Sequence, residues 1–368
     1  MFYKILLYLK NLDWIILASI FLLVIFGLAE IYSIALSNDS LGFLNFKKQL
    51  FFIIVGFLFL FIFSLIDYYN LRGFSNYLYI ISVILLASVL FFGNTVRGTT
   101  GWFDLGFFRL QPVEFVKVFL LIFLAKYFSN ASIKLNPLKH ILISGACTLV
   151  LIVLILMQPD FGSAFLLFML WGIMIFVAGF NKKYIIMIAA TLLIVFLSGW
   201  FFFFEDYQKQ RLMTFFNPQS NPLAEGYNVN QAIIAVGSGG LTGRGIGFGS
   251  QSQLKFLPEA QNDFIFAVIA EELGFLGVSL IIFFFAVFYF RLLRNAFKIG
   301  DDFGIFFIIG ALGLIFMEMF INIGMNIGLL PVVGISLPFI SYGGSAIIST
   351  LIIVGLAEGI IARARLKT

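Results

Sequence analysis

Apolar runs of about twenty residues follow one another along most of this chain, each long enough to cross a hydrocarbon core roughly 30 Å thick. Ten such spans are predicted, near residues 14–35, 48–66, 76–93, 111–128, 141–157, 160–180, 184–204, 263–290, 303–328 and 338–360. Composition agrees, with 61% of residues hydrophobic and 11% charged. Soluble domains carry roughly 25% charged residues, and no single water-soluble core could hide so much apolar surface. The expected fold class is therefore all-α, a polytopic membrane protein read as one domain over residues 1–368. The first run begins at Trp14 behind Lys4 and Lys10, as in a signal sequence. It continues without a small-residue cleavage site, so a retained first span is expected.

The net charge is +5. In a membrane protein basic residues mostly set orientation, so no nucleic-acid partner is expected. Ten spans put both termini on one side. That side receives fourteen lysines and arginines, Arg291, Arg363 and Arg365 among them, against Lys47, Lys48, Arg97 and Arg109 on the opposite short loops, which places both termini in the cytoplasm. The long connection of residues 205–262, between spans seven and eight, then faces outward and carries Lys209, Arg211, Arg244 and Lys255. A connection of that length is usually functional. The lone Cys147 excludes an internal disulfide. The only histidine, His140, falls in a cytoplasmic loop, so no histidine base, His/Cys zinc site or Ser-His-Asp triad can form on the outer side. "GRGIGFG" has neither a preceding strand nor an αβ context to make it a nucleotide loop.

Polar clusters inside the apolar runs open the even-numbered spans: "RLQPVEFVK", "QPDFGSA", "NDFIFA" and "LPFISYGGSA". All four fall at outward helix N-termini under this sidedness. Charge at membrane depth costs about 2.5–3.5 kcal/mol on insertion scales, so each needs a reason. Gln111, Glu114 and Lys117 are spaced by three and share a helix face. Glu114 and Lys117 are either a neutralised pair joining helices or, beside Arg109, a hold on an anionic substrate. Asp160 follows Pro159 as a helix cap or, with Gln111, Ser341 and Ser345, as a candidate for substrate binding or catalytic support. Glu318, Asn322 and Asn326, and likewise Ser341, Ser345 and Ser349, form stripes at spacings of four, suited to interhelical hydrogen bonds or close packing. Asp263 sits at the mouth of span eight, above Ala267, Ala270, Gly274 and Gly277. That small-residue stripe either admits a neighbouring helix or leaves a groove for an acyl chain. Asp263 is either a capping acid favoured by the helix dipole or the best candidate for acid–base chemistry. Glu271, about 12 Å deeper, and Glu272 are read as structural.

The run "EGYNVNQAIIAVGSGGLTGRGIGFGSQSQLKFLPEAQNDFIFAVIAEELGFLG", then "NIGMNIGLLPVVGISLPFISYGGSA", with "LQPVEFVK" and "QPDFGSA", resembles the SEDS family of shape, elongation, division and sporulation proteins. The likeness covers nearly the whole chain in order, and "SQSQLKFLPE" looks more like the elongation members than the division members. The resemblance implies a ten-helix peptidoglycan glycosyltransferase of the bacterial cytoplasmic membrane. Its substrate would be lipid II, a disaccharide-pentapeptide on undecaprenyl pyrophosphate. It would act beside a class B penicillin-binding protein and other elongation or division complex proteins. The family's essential aspartate falls on Asp263, and its Gln-Pro-x-Glu-x-x-Lys motif on Gln111, Pro112, Glu114 and Lys117. Two departures stand out. Gln261 and Asn262 replace the usual His-Thr before the aspartate, and Gly101 replaces an arginine before Trp102. Arg97 or Arg109 could substitute for that arginine.

The mechanism expected is proton removal by Asp263 from the attacking sugar hydroxyl, with undecaprenyl pyrophosphate leaving. Lys117, Arg109, Arg211, Arg244, outward helix N-termini and a divalent cation, Mg or Mn, would meet the leaving charge. A lipid II transporter and a scaffold for the penicillin-binding protein are the rival functions.

Overall fold

In a computed structural model, residues 8, 10–37, 40–96, 98–106, 108–130, 136–184, 186 and 225–367 are described. The predicted seventh span, apart from residues 184 and 186, lies outside the described residues, as do Arg97, Lys209 and Arg211. The other nine spans correspond to helices. These are α1 (Trp14–Ser37), α2 (Ser40–Leu65), α3 (Tyr68–Phe92), α4 (Pro112–Phe128), α5 (Pro137–Leu156), α6 (Phe161–Val177), α9 (Ile265–Ala296), α10 (Asp302–Asn326) and α11 (Gly344–Lys367). Two shorter helices, α7 (Glu225–Ser238) and α8 (Ser250–Gln253), precede α9. Among the described residues seven helices are long and apolar enough to cross a membrane; α4 and α6, at 17 residues each, are shorter.

The all-α expectation needs one correction. Between α3 and α4 lies a three-stranded antiparallel sheet of β1 (Asn94–Val96), β2 (Thr99–Asp104) and β3 (Arg109–Leu110), in that order. Trp102 pairs with Asn94, and Asp104 with Arg109. Its short threonine, valine and aromatic stretches suit a pleated, half-buried ribbon.

Helix α11 is the centre of the bundle: 89% of its apolar window is buried, against 22–56% in the other long helices. Its packing on α2 is close because Gly355 and Gly359 face the backbone of Leu60 and Ser64, where a side chain would collide. Small residues bring helix backbones together where lipid provides no hydrophobic drive.

At the end of the bundle where α1 begins and α9 and α11 finish, Asp13 is 1% exposed. Its carboxylate accepts from Arg291 Nη2 at 2.6 Å, Arg365 Nη2 at 2.7 Å and Asn295 Nδ2 at 2.8 Å. Its backbone N–H donates to Glu358 Oε2 at 2.8 Å. Burial alone would push the Asp13 carboxyl up, but the hydrogen bonds and charges of Arg291, Asn295 and Arg365 hold it below the usual carboxylate value.

The connection before α9 also departs from expectation. Over residues 225–262 it is packed structure rather than a structureless loop: α7 lies on α9, burying Ala232 and Ala235 with Ala267. The segment after it reaches deep along α9. Arg244 and Gly245 donate their N–H groups to the carbonyls of Glu271 and Glu272 at 3.0 and 2.9 Å. Phe275 and Leu276 donate to Gly240 and Leu241 at 2.9 and 3.1 Å. These bonds replace helical ones where α9 breaks at Gly274 (φ 65°, ψ −163°). Non-helical backbone at membrane depth is tolerated where protein satisfies it, as here. The groove for an acyl chain is therefore filled: Gly239 lies against Ala270 and Gly243 against Glu272.

Candidate active site

Asp263 lies in the turn before α9 and is partly exposed. It is not the cap of that helix: Phe264 holds the position, with no side-chain cap bond. The backbone around it is fixed by three consecutive carbonyls. Gln261 O accepts from Tyr342 N at 2.8 Å, and Asn262 O accepts from Ser341 Oγ at 2.7 Å. Asp263 O accepts from Asn322 Nδ2 at 3.0 Å and Asn326 Nδ2 at 2.9 Å. Asn326 Oδ1 in turn accepts from Ala267 N at 3.1 Å, in the first turn of α9. Every bond in this clamp is made through main chain on the Asp263 side, so the turn that carries the carboxylate is held by its backbone.

The two stripes with spacing four prove to be rungs. On α10, Asn322 and Asn326 hold the Asp263 turn, while Glu318, one turn away, meets Lys117. Ser341 holds Asn262, Ser345 Oγ accepts from Gln111 N at 2.9 Å, and Ser349 Oγ donates to Glu114 Oε2 at 2.9 Å. One face of α10 and one line of serines thus tie the N-terminus of α4 to the turn that carries Asp263. Each residue on such a line rises about 6 Å from the last, at 1.5 Å per residue. The Lys117 group therefore lies below the turn.

Lys117 is 5% exposed and paired with both Glu114, at 2.9 Å, and Glu318. Its ammonium is shared between two buried carboxylates, which puts it out of reach of a soluble group. Asp160 caps α6, accepting from Ser163 N at 3.0 Å and Ser163 Oγ at 2.7 Å. Arg109 is largely exposed on β3, 3.5 Å from Asp104 and within electrostatic range of Tyr342. Arg244 is exposed, donates to Ser250 Oγ at 2.7 Å, and is tied by its backbone to Glu271. It therefore stands about 12 Å along α9 from Asp263.

Glu271 and Glu272 hold the inserted segment. Glu271 accepts from Gln251 N at 2.8 Å and Ser252 N at 3.1 Å, and Glu272 from Gly247 N at 3.0 Å and from Ser33. Sequence reasoning missed Glu318 as the second partner of Lys117. It also missed Gln49, which donates to Ser341 O at 3.2 Å and accepts from Gly343 N at 3.1 Å. A lone amide in the apolar run of α2 was the available signal. Among the described residues no three His, Cys, Asp or Glu side chains gather as a metal site.

The family model for FtsW, RodA and SpoVE cell cycle proteins matches residues 10–366. The chain belongs to this family. It is 38% identical over 289 residues to the peptidoglycan glycosyltransferase MrdB of Escherichia coli (strain K12), covering 78% of each chain. It is 35% identical over 347 residues to the stage V sporulation protein E of Bacillus subtilis (strain 168), covering 93% of each. Among solved structures it superimposes with a TM-score of 0.79 and 27% identity on a chain of a peptidoglycan synthase complex that coordinates polymerization and crosslinking, covering 97% of this chain and 99% of that one. Family and apolar helices together make this a polytopic protein of the cytoplasmic membrane.

Proposed function

We infer that this FtsW/RodA/SpoVE family member is a peptidoglycan glycosyltransferase that polymerises lipid II at the outer face of the cytoplasmic membrane. Its role is elongation and cell shape in the manner of RodA, rather than division in the manner of FtsW. It spans the membrane ten times with both termini in the cytoplasm, and Asp263 faces outward. The working partner is a class B penicillin-binding protein within the elongation complex. The observation that carries the reading is the clamp on carbonyls 261–263. Such preorganisation holds a base where a proton must be taken at a fixed point.

Asp263 accepts the proton of the acceptor sugar's hydroxyl as that oxygen bonds to the donor's anomeric carbon. The bond from that carbon to the diphosphate breaks, and its electron pair leaves with undecaprenyl diphosphate. Displacement with one carboxylate base inverts the anomeric centre. Arg109 and, farther along α9, Arg244 supply positive charge toward the diphosphate, with Arg211 from outside the described residues. Gln111, Glu114, Lys117, Ser341 and Ser345 position the turn rather than touch the sugar, and Asp160 sets the start of α6. The donor set does not form a cage for an ion by itself. A divalent cation, Mg or Mn, would be held by the substrate's diphosphate together with one protein carboxylate. Glu259, whose Oε2 accepts from Asn262 Nδ2 at 2.8 Å beside the Asp263 turn, would be that ligand, leaving Asp263 as the base, and the ion would neutralise charge on the departing diphosphate.

A transport reading would draw on the intramembrane acids Glu30 and Glu358. Glu358 is committed to Asp13 N at one end of the bundle, and Glu30 is fully buried on α1. The deciding experiment reconstitutes the purified chain in liposomes with lipid II and measures lipid movement and glycan growth together, the partner's transpeptidase being blocked. Glycan growth without the partner's activity is expected; lipid movement with no polymer would overturn the assignment.

A further inference from the structure

Glu30 is fully buried inside the apolar run of α1. Neither of its carboxyl oxygens meets a hydrogen-bond donor among the described residues. Ser33, three residues on and on the same helix face, is equally buried. The charged groups on the helices packed against α1 are Lys47 and Lys48 of α2 and Glu271, Glu272, Arg291 and Arg294 of α9; the inserted segment adds Arg244. Of these, Glu272 is the one that acts on Glu30, carboxyl to carboxyl.

The two acids sit in unequal surroundings. Glu272 accepts from Gly247 N at 3.0 Å, Ser33 Oγ at 2.8 Å, Ser252 Oγ at 3.2 Å and Gln253 Nε2 at 3.2 Å. Hydrogen bonds of this kind favour the ionised form. Glu30 has none. As a second carboxylate it would be buried against a like charge with neither donor nor counter-charge, an arrangement proteins avoid. A proton on Glu30 removes that charge and makes one oxygen a donor toward Glu272. A metal ion is a poorer answer. Ser33 Oγ already accepts from Gly247 N at 3.0 Å and Gln253 Nε2 at 3.2 Å, so the oxygens around Glu30 are occupied by donors. We propose that Glu30 and Glu272 share one proton, held on Glu30, and that Glu30 is thereby a positioning residue: its neutral carboxyl lets α1 and α9 grip the segment 239–253 that carries Arg244. The effect on the reaction rests on the reading of Arg244 as charge toward the diphosphate. When Glu30 ionises, its proton passes to solvent and two carboxylates face each other. The bonds from Gly247 and Gln253 to Ser33 and Glu272 then open.

The test compares the purified full-length protein with Glu30→Gln, whose carboxamide copies the neutral acid. Infrared spectra in water and heavy water at neutral pH are expected to show a protonated-carboxyl stretch that shifts on deuteration and is missing from the variant. Hydrogen exchange at amides 243–247, corrected for the intrinsic rate, is followed as pH is raised. Docking that needs one proton weakens about tenfold per pH unit above the midpoint of the pair. Wild-type amides should lose protection at that rate while α10 stays protected, and Glu30→Gln should show no such loss. Polymerisation of lipid II by the wild type is expected to fall over the same pH range. The variant is expected to match it at neutral pH and to retain that rate above. An unchanged infrared spectrum together with protection indifferent to pH would overturn the proposal. So would protection lost on chelating divalent ions or replacing sodium and potassium by choline, which would put a metal ion in the proton's place. If Glu30→Gln does not fold, the wild type decides alone: its stretch must vanish over the pH range in which protection is lost, and a stretch that outlasts protection sinks the idea. Docking that follows the proton while polymerisation does not would remove the positioning role and Arg244 from the diphosphate, and leave the proton site standing.

Discussion

Lys117 shows how differently one residue reads alone and in place. Its spacing from Glu114 put both on one helix face, and that much is local and legible. Glu318, 201 residues away, is not. With two carboxylates around one buried ammonium, removing the lysine strands like charges with no counter-charge. Breaking a buried pair costs about 3–5 kcal/mol. Lys117→Met is therefore expected to lower the thermal midpoint of the purified protein sharply and reduce its yield. Lys117→Met with wild-type stability and a raised KM for lipid II would instead make Lys117 a substrate contact. Asp263 was legible as a residue but not as a position. Its rank among the acids followed from its place at the mouth of an apolar run, whereas the clamp that fixes it comes from α10 and the Ser341 turn.

Among the elements, the inserted segment of residues 239–253 differs most from its reading as a loop. Glycine density signalled irregular backbone, and Glu271 and Glu272 signalled something polar at depth, but nothing local joined the two. The joint is Gly274. A side chain there would begin 2.2 Å from Gly243 N, and its φ of 65° is one that L residues rarely take. Gly274→Ala is expected to undock the segment at a cost of about 1–3 kcal/mol, the usual range for such backbone strain. Hydrogen exchange should show it, with amides 243–247 exchanging about tenfold faster for each 1.4 kcal/mol lost while α10 stays protected. Unchanged exchange across 243–247 would mean that the break in α9 does not depend on glycine. The small β1–β2–β3 sheet escaped notice because its strands are only three, six and two residues long, too short for an alternating pattern to register.

Over the whole molecule, nine of the ten predicted spans coincide with helices because hydrophobic length is written in the sequence; how those helices pack is not. Counting lysines and arginines placed Arg291, Arg363 and Arg365 on one side, and in the structure they gather at one end, Arg291 and Arg365 around Asp13. That clamp has a pH signature. The Asp13 carboxyl is held below its ordinary value in the folded protein. Its contribution is thus complete above the unfolded carboxylate value and is lost as pH falls through the lower folded one. Asp13→Asn should reduce the thermal midpoint at pH 7, and the gap from wild type should close as pH drops below about 4, the ordinary aspartate value. A gap that persists unchanged into acid would assign the loss to packing.

The reaction proposed for this architecture turns on one carboxylate, and substituting it leaves the main-chain clamp in place. The most direct measurement is the length distribution of glycan made from lipid II by purified wild-type and Asp263→Asn proteins of equal thermal stability. The account predicts long chains from the first and at least a roughly 100-fold slower appearance of any polymer from the second, the smallest loss expected when a general base is removed. Chains of wild-type length made by the Asp263→Asn protein at near wild-type rate would contradict it.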